Sequence, residues 1–155
     1  LTPGSGRMAM VIPNGILNNP ALEYVRQWIL RHTQVLAVVD MARDLFQPKN
    51  DTQTSMVLMR RLSDKEVHIA RVNGLSYPVF MAIAEKVGHD KRGNVIFRQT
   101  PAGKDVIKSH IETITEIDET TGEEIMKQVV VNDRVVDDEL PEVAEAYSRW
   151  KQSQL

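Results

Sequence analysis

The sequence predicts an α/β protein: a partial open sheet in its first third, followed by β-hairpins and a C-terminal helix. Three observations carry that class. Residues 8–12 (MAMVI) and 35–39 (VLAVV) are apolar runs of strand length separated by a helical pattern, and continuous runs suit strands covered on both faces. A third run, Ser55-Met56-Val57-Leu58-Met59, follows a polar loop and completes the β-α-β-loop-β order of an open α/β sheet. Two later glycine-bearing turns are each flanked by apolar segments, the pattern of hairpins.

The elements follow in order. The strand Met8–Ile12 ends at Pro13-Asn14-Gly15. A chain that opens on a core strand, without an initiator Met, is expected to be part of a longer protein. Asn19 is placed to cap a helix, with Pro20 at the first helical position, where its missing N–H costs nothing. That helix is expected to run to about Arg31, with Leu22, Val25 and Ile29 at i, i+3 and i+7 on one face. Tyr77 to Val87 is strongly apolar and fits a strand or a helix equally. Gly88-His89-Asp90-Lys91-Arg92-Gly93-Asn94 predicts a hairpin turn into a short strand, Val95 to Arg98. Ile111–Ile117 and Ile125–Val131 flank a second turn at Thr121-Gly122-Glu123. The stretch Lys104–Ser109 carries no clear pattern. Leu140-Pro141-Glu142 begins the last helix, with Leu140, Val143, Ala144, Tyr147 and Trp150 on one stripe. Two segments result: residues 1–62, the sheet, and 63–155, the hairpin-rich extension.

Composition narrows the chemistry. The 155 residues are 42% apolar and 26% charged, which suits a single globular domain with a real core. The net charge of -2 provides no global basic field, so any DNA contact must use local patches. The absence of cysteine excludes disulfides, zinc-thiolate sites and Cys nucleophiles. His32, His68, His89 and His110 lack ligand spacing, so no metal site is expected. No apolar run approaches the ~20 residues of a membrane span, and no secretory signal is visible, which makes the cytoplasm the expected compartment.

Four stretches have both a functional and a plain interpretation. Pro13 and Asn14 stand where a strand ends, the usual place for ligand-facing loops in α/β sheets; on local evidence a simple turn explains them better. Phe46-Gln47-Pro48-Lys49-Asn50-Asp51-Thr52-Gln53-Thr54 sets one aromatic before polar residues and a lysine. It suits a base-stacking loop with a phosphate contact, or a loop whose Phe46 packs into the core below. Lys91 and Arg92 at a turn tip suit a phosphate backbone contact, or remain solvated charges. Asp137-Asp138-Glu139, with Glu142 and Glu145, is acidic near a helix N-terminus, where negative charge is favourable. Asn18-Asn19-Pro20 lacks the second proline and the aromatic of an NPP-type catalytic tetrad, and serves as a helix cap.

Taken together, GRMAMVIPNGILNNPALEYVRQWIL, VLAVVDMARDLFQPKNDTQTSMVLMRRL and FMAIAEKVGHDKRGN, in this order and spacing, resemble the modification subunit of type I restriction-modification systems. Those subunits are S-adenosylmethionine-dependent DNA adenine-N6 methyltransferases of the gamma class. The resemblance covers residues 1–94, and more loosely the ELPEVAEAYSRW helix. It implies a methyltransferase-type, Rossmann-like sheet of order 3-2-1-4-5-7-6, with Met8–Ile12 as strand five, Val35–Val39 as strand six and Ser55–Met59 as strand seven. The family's cofactor-binding glycine loop and its NPP-aromatic motif precede strand five and have no counterpart here. The resemblance therefore implies that S-adenosylmethionine is bound mainly by an N-terminal half this chain lacks, that no catalytic residue lies within the chain, and that the chain alone is inactive.

The family mechanism flips an adenine out of the duplex. By position, Phe46 matches an aromatic that stacks on the flipped base, with Lys49, Asn50 and Thr52 along the pocket's rim. The implied partners are DNA, a specificity subunit that reads its sequence, and a motor-nuclease restriction subunit. Without a strand four beside it, Met8–Ile12 is an apolar edge expected to pair with a second copy. A different class remains open: a non-catalytic module that uses the same half-sheet and last helix to bind a protein partner.

Overall fold

The computed structural model describes residues 1–117 and 122–154. The chain order is β1 (Arg7–Pro13), α1 (Asn14–Asn18), α2 (Glu23–His32), β2 (Thr33–Met41), β3 (Thr54–Arg61), α3 (Asp64–Asn73), β4 (Phe80–Ala84), β5 (Ile107–Ile117), β6 (Glu124–Arg134) and α4 (Leu140–Ser153). It forms two compact units. One comprises Leu1–Asn94 with the chain from Asp138 onward, and the other is Val95–Asp137. Helices α3 and α4 and strand β4 therefore belong with the first three strands, although the sequence divides the chain near residue 62.

The first unit is built on a mixed sheet of order β1-β3-β2-β4. Strand β3 lies antiparallel to both neighbours, pairing Met10 with Val57 on one side and Val38 with Val57 on the other. Strands β1 and β2 consequently run parallel to each other, with β3 between them. Strand β4 pairs parallel with β2, Ala37 facing Phe80, so the middle of the ambiguous segment 77–87, Phe80–Ala84, is a strand. A register shift between Val35 and Ala37 sets a bulge into β2, and a bulge exchanges the faces on which later side chains stand. Val35 and Val38 thus pack on one face and Val39 and Met41 on the other.

Each face has its own cover. On the first, Ile12, Val57 and Met59 form a buried cluster beneath Ile16, Leu17 and Ile29 from α1 and α2. On the second, Val39, Met41 and Ala84 are covered by Leu140 and Val143 of α4. Further along α4, Tyr147 and Trp150 meet the Phe80 ring, with centroids 5.4 and 5.7 Å away, so the expected stripe of this helix is the face that packs. Asn19 caps the turn before α2 by accepting the Ala21 N–H at 2.9 Å, with Pro20 at its first position.

Helix α3 has no strong apolar period, but its start is written in Ser63-x-x-Glu66, a capping box. The Glu66 carboxylate also accepts from Arg60 Nη2 at 2.7 Å and from the Ser63 N–H at 2.8 Å. Arg60 first, then Ser63, hold its pKa down at about 2. A depressed carboxylate pKa adds stability that is complete above about pH 4.5 and is lost as pH falls toward about 2. With both side chains partly in water, screening reduces the expected contribution to about 1–2 kcal/mol. Glu66→Gln is expected to flatten the difference between urea denaturations at about pH 5 and about pH 2.5 by that amount; an unchanged difference would place the acid sensitivity elsewhere.

The second unit is a two-stranded ribbon. Strands β5 and β6 pair antiparallel from Ile107↔Arg134 to Ile117↔Glu124. Its connecting turn, expected at Thr121-Gly122-Glu123, lies partly outside the described residues. Phe97 bridges to Val136, and the Arg134 guanidinium lies 3.8 Å from the Phe97 ring centroid. The segment 95–98 therefore does not form the expected hairpin with the apolar strand before it. That strand is β4, already committed to β2, and residues 95–98 bond to 135–137 instead. Among the described residues no helix is long and apolar enough to cross a membrane.

Candidate functional site

Because β1 and β2 are parallel and β3 begins between their carboxyl ends, three polar side chains converge there. Asn14 opens α1, Asp40 lies near the end of β2, and Ser55 lies near the start of β3. The Asn14 amide donates to Asp40 Oδ1 at 2.8 Å, and the Ser55 hydroxyl reaches Asn14 Oδ1 at 2.7 Å and Asp40 Oδ1 at 3.2 Å. Gln53 adds a longer bond to Asp40 Oδ2, and its carbonyl accepts the Asn14 N–H. Ser55 is buried and bonded to an amide and a carboxylate with no imidazole among its partners, so the group fixes geometry and does not form an activated nucleophile. Next to it, the buried Thr54 hydroxyl has no hydrogen-bond partner among the described residues.

The 43–53 loop rises from the same end of the sheet. Its first turn, Arg43–Phe46, drops Leu45 into the second core cluster, which turns the next residue outward. Phe46 is 41% exposed and belongs to neither cluster, so it is not a core plug. The loop is closed on itself. Arg43 clamps Asp51 with two hydrogen bonds of 2.9 and 2.7 Å, and the Gln47 amide bonds the same carboxylate. Arg43 first and Gln47 second draw the Asp51 pKa below its ordinary value. The Asn50 N–H returns to the Phe46 carbonyl, and Asn50 Oδ1 accepts the Thr52 N–H. The Gln47–Pro48 peptide is cis. Lys49 projects from this frame, exposed.

A second loop meets the first. Asp90 gathers the N–H groups of Arg92 and Asn94 and the Asn94 amide at 2.8–3.0 Å, and these bonds, the Asn94 ones foremost, lower its pKa. Gly93 closes the turn at φ +84, where only glycine is unstrained. A Cβ there would also stand 3.4 Å from Pro48 Cδ. The Lys91-Arg92 turn and the Phe46–Lys49 loop therefore abut, although they are far apart in sequence.

No family model matches the chain. No curated protein matches it either.

The eight residues singled out from sequence sort into three groups. Asn14 is part of the polar junction, while Pro13 ends β1 opposite Thr54 and stays exposed. Phe46, Lys49, Asn50 and Thr52 share the clamped loop, in which Asn50 serves the backbone. Lys91 and Arg92 are exposed on the abutting turn. Sequence reasoning missed Asp40, Ser55, Arg43 and Asp51. A signal existed for Asp40, the one charge at the end of an apolar run; its partners lie 15 and 26 residues away and are set only by strand order. The acidic patch before α4 has structural work: Glu139 accepts the N–H groups of Glu85 and Lys86, and Asp138 accepts that of Leu140. Among the described residues no cluster of His, Asp and Glu could hold a metal ion.

Proposed function

We propose that the chain forms the target-base side of a DNA adenine-N6 methyltransferase of the type I modification-subunit kind. The observation that supports this best is the sheet order. Insertion of β3 between β1 and β2 is the 5-7-6 order that the resemblance implies, and it is not the order in which the strands follow one another along the chain. The exposed Phe46 and the abutting cationic turn then lie together above the carboxyl ends, where α/β sheets bind ligands.

In this reading Phe46 stacks on an extrahelical adenine, and Lys49, Lys91 and Arg92 neutralise phosphates beside it. Asn14, Asp40 and Ser55 hold the strand ends from which the loop springs. The described residues do not fit S-adenosylmethionine: the β1–α1 junction has the single glycine Gly15 in open space, and the polar side chains beside it are bonded to each other. The methyl donor is then held by residues other than these, the chain alone transfers no methyl group, and specificity and restriction subunits remain its proposed partners.

The test is binding to a duplex with 2-aminopurine opposite a mismatch, followed by fluorescence and salt titration. Phe46→Ala is expected to weaken binding by about 1–3 kcal/mol, the value of one base stack. Lys49→Ala is expected to reduce the salt slope by about one. If neither change matters, Phe46 has no base-stacking role.

One observation favours a second reading, a protein-interaction module. The ribbon 95–137 contains five Lys or Arg and nine Asp or Glu, yet exposes Ile111, Ile117, Met126 and Val130. An acidic, apolar ribbon repels DNA and suits a protein surface. Absence of salt-dependent DNA binding by the intact chain decides for this reading.

A further inference from the structure

Helix α2 has two faces of different character. Ile29 packs onto the Ile12–Val57–Met59 cluster. Elsewhere on the helix Tyr24, Trp28 and His32 follow at i, i+4 and i+8, a spacing that aligns side chains along one line. The Trp28 and His32 rings stack with centroids 4.5 Å and planes 25° apart. His32 Nδ1–H donates to the Trp28 carbonyl at 2.7 Å, which holds the imidazole against the indole. Trp28 still leaves 61% of its surface open, and Tyr24 71%. The outer face of an amphipathic helix ordinarily carries charged and polar side chains, so two uncovered rings there point to a ligand.

The rings border a cleft of about 660 Å³ between α2, α3 and the loop leading to β4, a size common among small-molecule sites. Tyr77 stands in its wall, its hydroxyl oxygen accepting the Val35 N–H at 3.3 Å. Arg31 and Arg71 line the cleft and no acidic residue does. Among the described residues neither arginine has an ion-pair partner. The site lies where α2 runs into the start of β2, the opposite end of that strand from Asp40, and it does not depend on the function proposed above.

We infer that this cleft binds a nucleoside phosphate unit, with the base on the open face of Trp28 and the phosphate on Arg31 and Arg71. Stacking on an aromatic face accepts any base, and guanidinium groups match phosphate oxygens two at a time. A free nucleotide and a nucleotide within a single strand both present this unit.

Trp28 emission reads the binding directly. The other tryptophan, Trp150, packs against Tyr147 and Phe80, so a Trp150→Phe chain reports on Trp28 alone. Titration with AMP is expected to quench it saturably, with adenosine about tenfold weaker, and Arg31→Ala/Arg71→Ala is expected to reduce AMP to the adenosine level. All three residues of the site are exposed; should the alanine pair disturb the helix by circular dichroism, the glutamine pair Arg31→Gln/Arg71→Gln takes its place. An oligo(dA) single strand binding about tenfold tighter than AMP assigns the site to nucleic acid, and equal binding per nucleotide assigns it to free nucleotide. Equal affinities for adenosine and AMP, retained AMP affinity in the double-arginine variant, or no quenching by AMP or oligo(dA) at about 10 mM nucleotide overturns the inference.

Discussion

Replacing Met59 by Ala is expected to remove about 2–5 kcal/mol of stability, the range for deleting a large buried side chain and leaving its cavity. Met59 sits on the inner strand β3, 2% exposed, against Ile12 and Val57, and its backbone is held by Met8 on one side and Val35 on the other. The surrounding strands cannot collapse into the gap without breaking register. A domain of ordinary stability has about 5–15 kcal/mol in total, so the variant is expected to unfold at a visibly lower urea midpoint. Met81→Ala, on the edge strand β4 with Met81 69% exposed, serves as control and is expected to change stability by less than about 0.5 kcal/mol. Equal losses in the two variants would show that the core is not centred on β3.

The second large effect concerns assembly. Strand β1 has a partner on one side only, and Met10 and Val11 are about half exposed along it. A strand with free backbone groups and apolar side chains invites another strand. We propose that two copies pair antiparallel through β1, which brings Met10, the middle residue of Arg7–Pro13, near its own counterpart. Met10→Lys then opposes like charges across the two-fold, and several kcal/mol of repulsion is expected to weaken the dimer by about 100-fold or more. Sedimentation velocity over a range of protein concentrations reads this directly. The other edge supplies the control, since β4 also exposes Met81 and Ile83. If Met81→Lys dissociates the dimer and Met10→Lys does not, the pairing belongs to β4.

Much of the fold was legible where local chemistry and tertiary demand agree. Apolar runs gave β1, β2 and β3 their places, the Asn19–Pro20 cap marked the entry to α2, and the Leu140–Trp150 stripe marked α4. The segment 77–87 could not be resolved from sequence, because a short apolar run suits either a helix or a strand until a neighbour accepts its hydrogen bonds; here β2 accepts them. Helix α3 carried a legible start in Ser63 and Glu66 but too weak an apolar period to mark its length.

The site was legible in its exposed half. Phe46, Lys49, Lys91 and Arg92 stand out as aromatic and cationic residues in loops, yet nothing local shows that the two loops abut at Gly93 and Pro48. Asp40 and Ser55 were invisible because their partnership is created by strand order. The aromatic line on α2 was readable as an i, i+4, i+8 spacing, but it lies apart from the face on which Ile29 packs.

The position of β3 has a consequence for how the chain can acquire its shape. Strands β1 and β2 are each bonded to β3 and not to one another, so residues 1–53 hold two strands with no mutual ladder. Neither can form its β3 ladder until Thr54–Arg61 arrives, and β1 must then close across more than forty residues, a long-range contact of the kind that slows folding. During synthesis the sheet cannot grow strand by strand: it waits for its third strand, and one segment then organises both that preceded it.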